Sequence, residues 1–169
     1  MEYKEYMVKR KKGAKEILLG FLIYAAALIL SFVCIMFVPS IAGIGLLLSV
    51  GCFYGGYWLV SKFNREFEYI VTGDSVDVDV IFNASRRRRL ISFSMKDTEI
   101  IAPVENEEYA RFAKNGDYKE IDASTHRKDA NVYFAAVEKN GKFLVKLELP
   151  VTALQGLRKF APSKVVIDQ

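Results

Sequence analysis

At 169 residues, with 51% hydrophobic and 26% charged side chains, the chain has the length of one ordinary domain, yet its charge is unevenly placed: no Asp, Glu, Lys, Arg or His occurs from Ile17 to Ser61. The formal net charge of +4 is equally local, because residues 1–16 carry six basic and three acidic groups, Lys62 and Arg65 add two positives, and residues 66–169 hold 16 basic against 17 acidic. The polar part therefore has no basic field with which to attract DNA or RNA, and no nucleic-acid partner is expected.

Residues 1–16 read as a basic N-terminal segment. Residues 17–38 supply 22 uncharged, largely apolar positions and residues 41–60 another 20, each enough for a helix to cross a hydrocarbon core of roughly 30 Å. Only Pro39 and Ser40 separate them, so the spacing predicts a tight turn and an antiparallel helical hairpin. A cleaved signal peptide is the competing reading of the first segment, but the apolar run is longer than a signal core and a second follows at once. Lys9, Arg10, Lys11, Lys12 and Lys15 precede the hairpin, Lys62 and Arg65 follow it, and its turn carries no basic residue. That asymmetry predicts a multi-pass membrane protein with both termini cytoplasmic.

Cys34 and Cys52, the only cysteines, lie inside the uncharged block. The helical rise puts them roughly 10 Å apart in depth, which disfavours a disulfide and leaves them as small apolar packing residues. Gly51 and Gly55 form a G-x-x-x-G pattern that Gly45 and Ser49 extend toward the N-terminus, and Ala27 and Ser31 offer a similar face on the first helix. Small residues let helices approach closely, and the pattern serves either the hairpin itself or a homo-oligomer. Neither span carries an ionisable Asp, Glu, Lys, Arg or His, so a proton relay or transport site has no support.

Beyond the hairpin the pattern turns to period two, and residues 61–169 read as a cytoplasmic domain. Residues 67–72 predict a strand, Gly73-Asp74 a turn, and residues 75–82 a strand with Val76, Val78, Val80 and Phe82 on one face and Asp77 and Asp79 on the other. A third strand follows over 86–95 with Ile91, Phe93 and Met95 on one face, and a fourth over 98–104. Residues 105–114 predict a short helix with Tyr109, Phe112 and Ala113 clustered and acidic residues in its first turn. Residues 115–130 read as loop with a strand near 118–121. A hairpin over 131–139 and 142–149 turns at Asn140-Gly141, a type I′ signal. Pro150 opens a final helix striped by Ala153, Leu154, Leu157 and Phe160, which Pro162 ends, and residues 165–167 form an apolar tail expected to pack on the sheet.

The fold class is thus α+β: a transmembrane helical hairpin followed by an antiparallel β-rich roll closed by a C-terminal helix. Two apolar helices, a strand at 67–72, the Gly73-Asp74 turn, an alternating strand, an arginine-rich return strand and the Lys96-Asp97-Thr98-Glu99-Ile100 step resemble small membrane-anchored bacterial proteins with PH-like domains. That resemblance implies a bacterial plasma-membrane protein without known catalysis, and the helix and loop between Glu105 and Ala130 depart from its simple strand series.

Catalytic chemistry is poorly supplied. The only histidine, His126, sits in the polar stretch Ser124-Thr125-His126-Arg127-Lys128 and reads as a solvated loop residue. No phosphate-binding glycine loop, nucleophile elbow or metal-ligand spacing occurs, so no enzyme activity, metal or cofactor is expected. Arg86, Arg87, Arg88 and Arg89 are either an edge for an anionic ligand or a solvated strand pairing with Asp77 and Asp79, and alternation favours the second reading. The expected function is a membrane-tethered binding or scaffolding module with a bilayer and a protein as partners. A structural subunit assembled through its helices is the alternative.

Overall fold

A computed structural model describes residues 3–37 and 43–167. The chain divides into a helical unit, residues 12–65 with 82–84, and a β-rich unit formed by residues 3–11, 66–81 and 85–167.

In the helical unit, α1 (Ala14–Phe37) and α2 (Ile44–Ser61) are both long and apolar enough to cross a membrane. The expected start at Ile17 moves to Ala14. Glu16 accepts a hydrogen bond from the Gly13 backbone N–H at 3.1 Å, and an acidic residue in the first turn suits the positive end of the helix. α2 starts after Gly43, whose φ of +88° is the left-handed region that glycine enters at little cost. The Pro39-Ser40 turn lies outside the described residues.

The helices meet through small residues. Gly20, Ala27 and Ser31 are the buried positions of α1, and Gly45, Ser49, Gly56 and Ser61 those of α2. The Ser31 and Ser49 hydroxyls hydrogen-bond to each other. A methyl group at Gly56 would stand 3.2 Å from Cβ of Ala27, closer than side chains ordinarily pack. Most large apolar side chains of both helices are exposed.

The β-rich unit holds two four-stranded sheets. The first has the order β1 (Tyr3–Lys9), β2 (Arg65–Thr72), β3 (Ser75–Phe82), β4 (Arg86–Ser94). β1 is absent from the sequence-based expectation, which made residues 1–16 a separate basic segment. Its residues pair antiparallel with β2, Lys9 opposite Glu66 and Tyr3 opposite Thr72. The pairing partner lies some sixty residues along the chain, and a strand of mixed charged and apolar residues has no local signature.

The second sheet has the order β5 (Thr98–Pro103), β7 (Tyr133–Glu138), β8 (Lys142–Leu147), β6 (Lys119–Asp122). β5 and β8 each run antiparallel to β7, but β6 runs parallel to β8, a departure from the all-antiparallel expectation. The polar segment between β6 and β7 is long enough to carry the chain past β8. Glu138 lies opposite Lys142, which leaves three residues in the hairpin loop instead of the two of a type I′ turn. Asn140 and Gly141 still supply positive φ, at 51° and 138°.

α3 (Glu107–Lys114) is capped by Asn106, whose Oδ1 accepts from the Glu108 N–H at 3.0 Å. It packs Tyr109 and Phe112 on a buried cluster of Ala102, Phe134, Ala136 and Leu144, whereas Ala113 is exposed. α4 (Val151–Arg158) follows Pro150 and buries Ala153, Leu154 and Leu157. Phe160, expected on that stripe, is 60% exposed because the helix ends before it. Val165 is buried and bridges Ile101 of β5, and Tyr69, Phe93, Phe134 and Leu154 are among the largest fully buried side chains.

Candidate functional site

The arginine run becomes two pairs once β4 is extended, because alternate residues of a strand share a face. Arg87 and Arg89 lie with the acidic face of β3. Arg87 Nε donates to Asp79 Oδ2 at 2.5 Å and its Nη2 reaches Glu68 Oε2 at 2.7 Å, while Arg89 Nε donates to Asp79 Oδ1 at 2.6 Å and its Nη1 reaches Asp77 at 2.8 Å. The Asp79 side chain is only 3% exposed, and the Arg87 and Arg89 side chains are 47% and 49% exposed. Burial alone would raise the Asp79 carboxyl, but the hydrogen bonds from Arg89 and Arg87 hold it below the ordinary carboxylate value. The bonds to Asp79 in turn raise both guanidinium groups.

Arg86 and Arg88 form the other pair. Both are exposed, and neither has an ion-pair or hydrogen-bond partner among the described residues. The sequence pattern supplied the Asp77 and Asp79 partnership. It missed Glu68, which β2 brings beside Arg87 and which is itself buried.

The basic residues that flank the hairpin in sequence divide between the two units. Lys9 ends β1 and reaches Glu66 at 3.1 Å, Arg10 follows it, and the Lys11 N–H donates to the Thr125 carbonyl at 2.8 Å. Lys12, Lys15, Lys62 and Arg65 belong to the helical unit. There Lys62 Nζ sits 3.3 Å from the ring centroid of Trp58, a pairing of cation and aromatic suited to the end of a membrane span. Arg65 lies 5.7 Å from the ring of Phe82, and the Asn83 N–H donates to the Asn64 carbonyl at 2.9 Å, so the β3–β4 turn is fixed to the residues just past α2.

Of the four expected packing residues, Gly45 and Ser49 are buried, and Ser49 meets Ser31 across the hairpin. Gly51 and Gly55 lie outside that contact: a methyl group added at either would meet nothing within 4 Å. Gly56, one position beyond the pattern, makes the close approach instead. A face on an α-helix is a matter of about 100° per residue, so a shift of one position moves a glycine off the interface. Cys34 and Cys52 are free thiols, both partly buried.

His126 has a partner that the sequence reading did not provide. Its Nε2 lies 2.9 Å from Asp122 Oδ2, while Ser124 Oγ donates to Asp122 Oδ1 at 2.7 Å. Burial works against the charge on Asp122, and the Ser124 hydrogen bonds outweigh it to lower the carboxyl. Serine and histidine thus share one carboxylate instead of facing each other, which is not a nucleophile–base arrangement. Nearby, Thr125 Oγ1 donates to Glu148 at 2.7 Å, and the buried Tyr69 hydroxyl donates to the Ala123 carbonyl at 2.5 Å. Burial pushes that phenol well above its ordinary value. These bonds fix the 122–125 segment to β2 and to the end of β8. No cluster of three or more metal-ligating side chains occurs among the described residues.

One family model, described as Bacterial PH-like domain (DUF6106), matches residues 2–167. No curated protein and no solved structure matches the chain.

Proposed function

We propose that this chain, which belongs to the family of bacterial PH-like domains, is a non-catalytic binding or scaffolding module held at the cytoplasmic face of the plasma membrane. The observation that carries the reading is continuity. α2 ends at Ser61 and β2 begins at Arg65, so three residues join an apolar helix to the second strand of the PH-like sheet. So short a connection tethers the domain at the surface where the helix emerges. Tethering raises the effective concentration of the domain toward other membrane proteins, and a weak contact then suffices for recruitment. The basic residues Lys12, Lys15, Lys62 and Arg65 beside the helices support a cytoplasmic location for both termini.

A second reading, a structural subunit of a membrane assembly, draws on Gly51 and Gly55, which leave an open small-residue face outside the hairpin contact. Crosslinking in intact membranes followed by identification of the captured proteins separates the two. Capture of a distinct membrane partner through the β-rich unit is expected for the module, and capture of the chain by itself through α2 for the subunit. C-terminal reporter fusions test the orientation, and an external C-terminus would refute the cytoplasmic reading.

A further inference from the structure

We propose that the groove between α4 and the β1–β2 edge of the first sheet docks a partner protein through a segment in which an apolar side chain stands beside a carboxylate. The inference deepens the binding-module reading above and rests on it. The groove holds about 350 Å³ and lies wholly within the β-rich unit. Buried Val71 and Ala153 and the bare backbone of Gly156 give it an apolar lining, and Phe160, just past the end of α4, stands exposed beside them. Gly156 matters for what it lacks: a methyl group there would meet nothing within 4 Å, so the space beside the helix is open. An exposed aromatic ring at the lip of an apolar groove is a residue type enriched in protein interfaces.

Charge decides what that partner carries. Lys4 lies directly opposite Val71 in the β1–β2 pairing, so its side chain shares the face of Val71 and reaches the groove from the sheet. Lys159 reaches it from the helix, and its ammonium has no ion-pair or hydrogen-bond partner among the described residues. Asp74, in the β2–β3 turn, supplies the one carboxylate of the lining, where it accepts from the Ser75 hydroxyl at 3.5 Å. Two ammonium groups against one carboxylate leave the groove positive, whereas residues 66–169 as a whole are balanced, with 16 basic and 17 acidic. An acidic residue therefore complements the rim while an apolar neighbour fills the space beside Gly156. The volume is at the small end of the roughly 300 to 1,000 Å³ of small-molecule pockets, and it suits one or two side chains of an extended segment. So small a contact is weak, and tethering at a membrane is what makes a weak contact sufficient.

The test is selection from a random peptide library displayed on phage, with the full chain in nanodiscs of zwitterionic phospholipid as bait. Enriched peptides should place a leucine or an aromatic residue next to aspartate or glutamate, and fluorescence anisotropy then measures their affinity. Gly156→Leu fills the groove and puts a better helix former in the helix interior, so the fold is kept. It should weaken the enriched peptides by at least about tenfold at an unchanged melting temperature. Lys159→Glu should weaken them by about fivefold and, in a repeated selection, turn the preference toward lysine and arginine. Absence of enrichment, enrichment without acidic residues, or peptides indifferent to Gly156→Leu would each overturn the groove. A dimer of the chain that Gly156→Leu dissociates would also overturn it, in favour of a second copy as the occupant. If the Gly156→Leu chain still crosslinks in membranes to the partner that the unmodified chain captures through its β-rich unit, the groove is wrong and the module reading stands. Capture of no partner by either chain overturns both.

Discussion

Replacing Arg87 and Arg89 by glutamine leaves Asp79, a carboxylate with 3% of its side chain exposed, without either guanidinium group, and leaves buried Glu68 without its ion pair. Two limits bracket the cost. Exposed ion pairs are worth roughly 0 to 1 kcal/mol, and stripping one partner from a buried pair costs about 3 to 5 kcal/mol. Here the acidic end is at the buried limit, but the arginines are half in solvent, which screens the attraction. The double substitution should therefore cost about 2 to 3 kcal/mol, a rise of about 30- to 160-fold in the opening constant. Hydrogen exchange at the β3 amides of the full chain measures that opening directly. Asp79→Asn added to the double variant should recover about 1 kcal/mol, because it removes the uncompensated charge. A change below about 0.5 kcal/mol, or no recovery with asparagine, would refute the idea that a buried carboxylate holds the arginines.

Gly56→Ile should weaken hairpin association by about 1 kcal/mol, since even a methyl group there stands 3.2 Å from Ala27, while Gly55→Ile should leave it intact; helix association in lipid by energy transfer reads both. Leu154→Ala, at a fully buried position, should cost about 2 to 4 kcal/mol, against no more than about 0.5 kcal/mol for Phe160→Ser, as denaturant melts of the full chain would register. Acid should unfold the β-rich unit through its lowered carboxyls, Asp79 and Asp122 among them. A depressed folded value gives stability that is present above the unfolded carboxylate value of about 3.9 and lost as pH falls through the folded one. Asp79→Asn should accordingly flatten the loss of melting temperature below about pH 4, and an unchanged slope would count against the assignment.

Much of the architecture is legible in the residues because its determinants are local. The uncharged block predicts two spanning-length helices, and Val76, Val78 and Val80 alternating with Asp77 and Asp79 predict β3 with its final boundaries. Gly73-Asp74, Asn140-Gly141 and Pro150 mark turns and a helix start through backbone constraints that act within a few residues. The family resemblance rests on the same succession of local signals.

What the sequence left open depends on partners distant along the chain or on rotation about a helix axis. β1 exists because residues 3–9 find β2 some sixty positions away, and β6 runs parallel to β8 because a polar segment lets it cross. Which glycine of α2 meets α1 turns on a rotation of about 100° per residue, so Gly56 packs where Gly51 and Gly55 were expected. The division of Arg86 to Arg89 into a neutralised pair and a free pair follows in part from alternation, which the residues themselves impose. Only the assembled sheet, however, brings buried Glu68 beside Arg87, because side chains on neighbouring strands become neighbours through pairing and not through sequence.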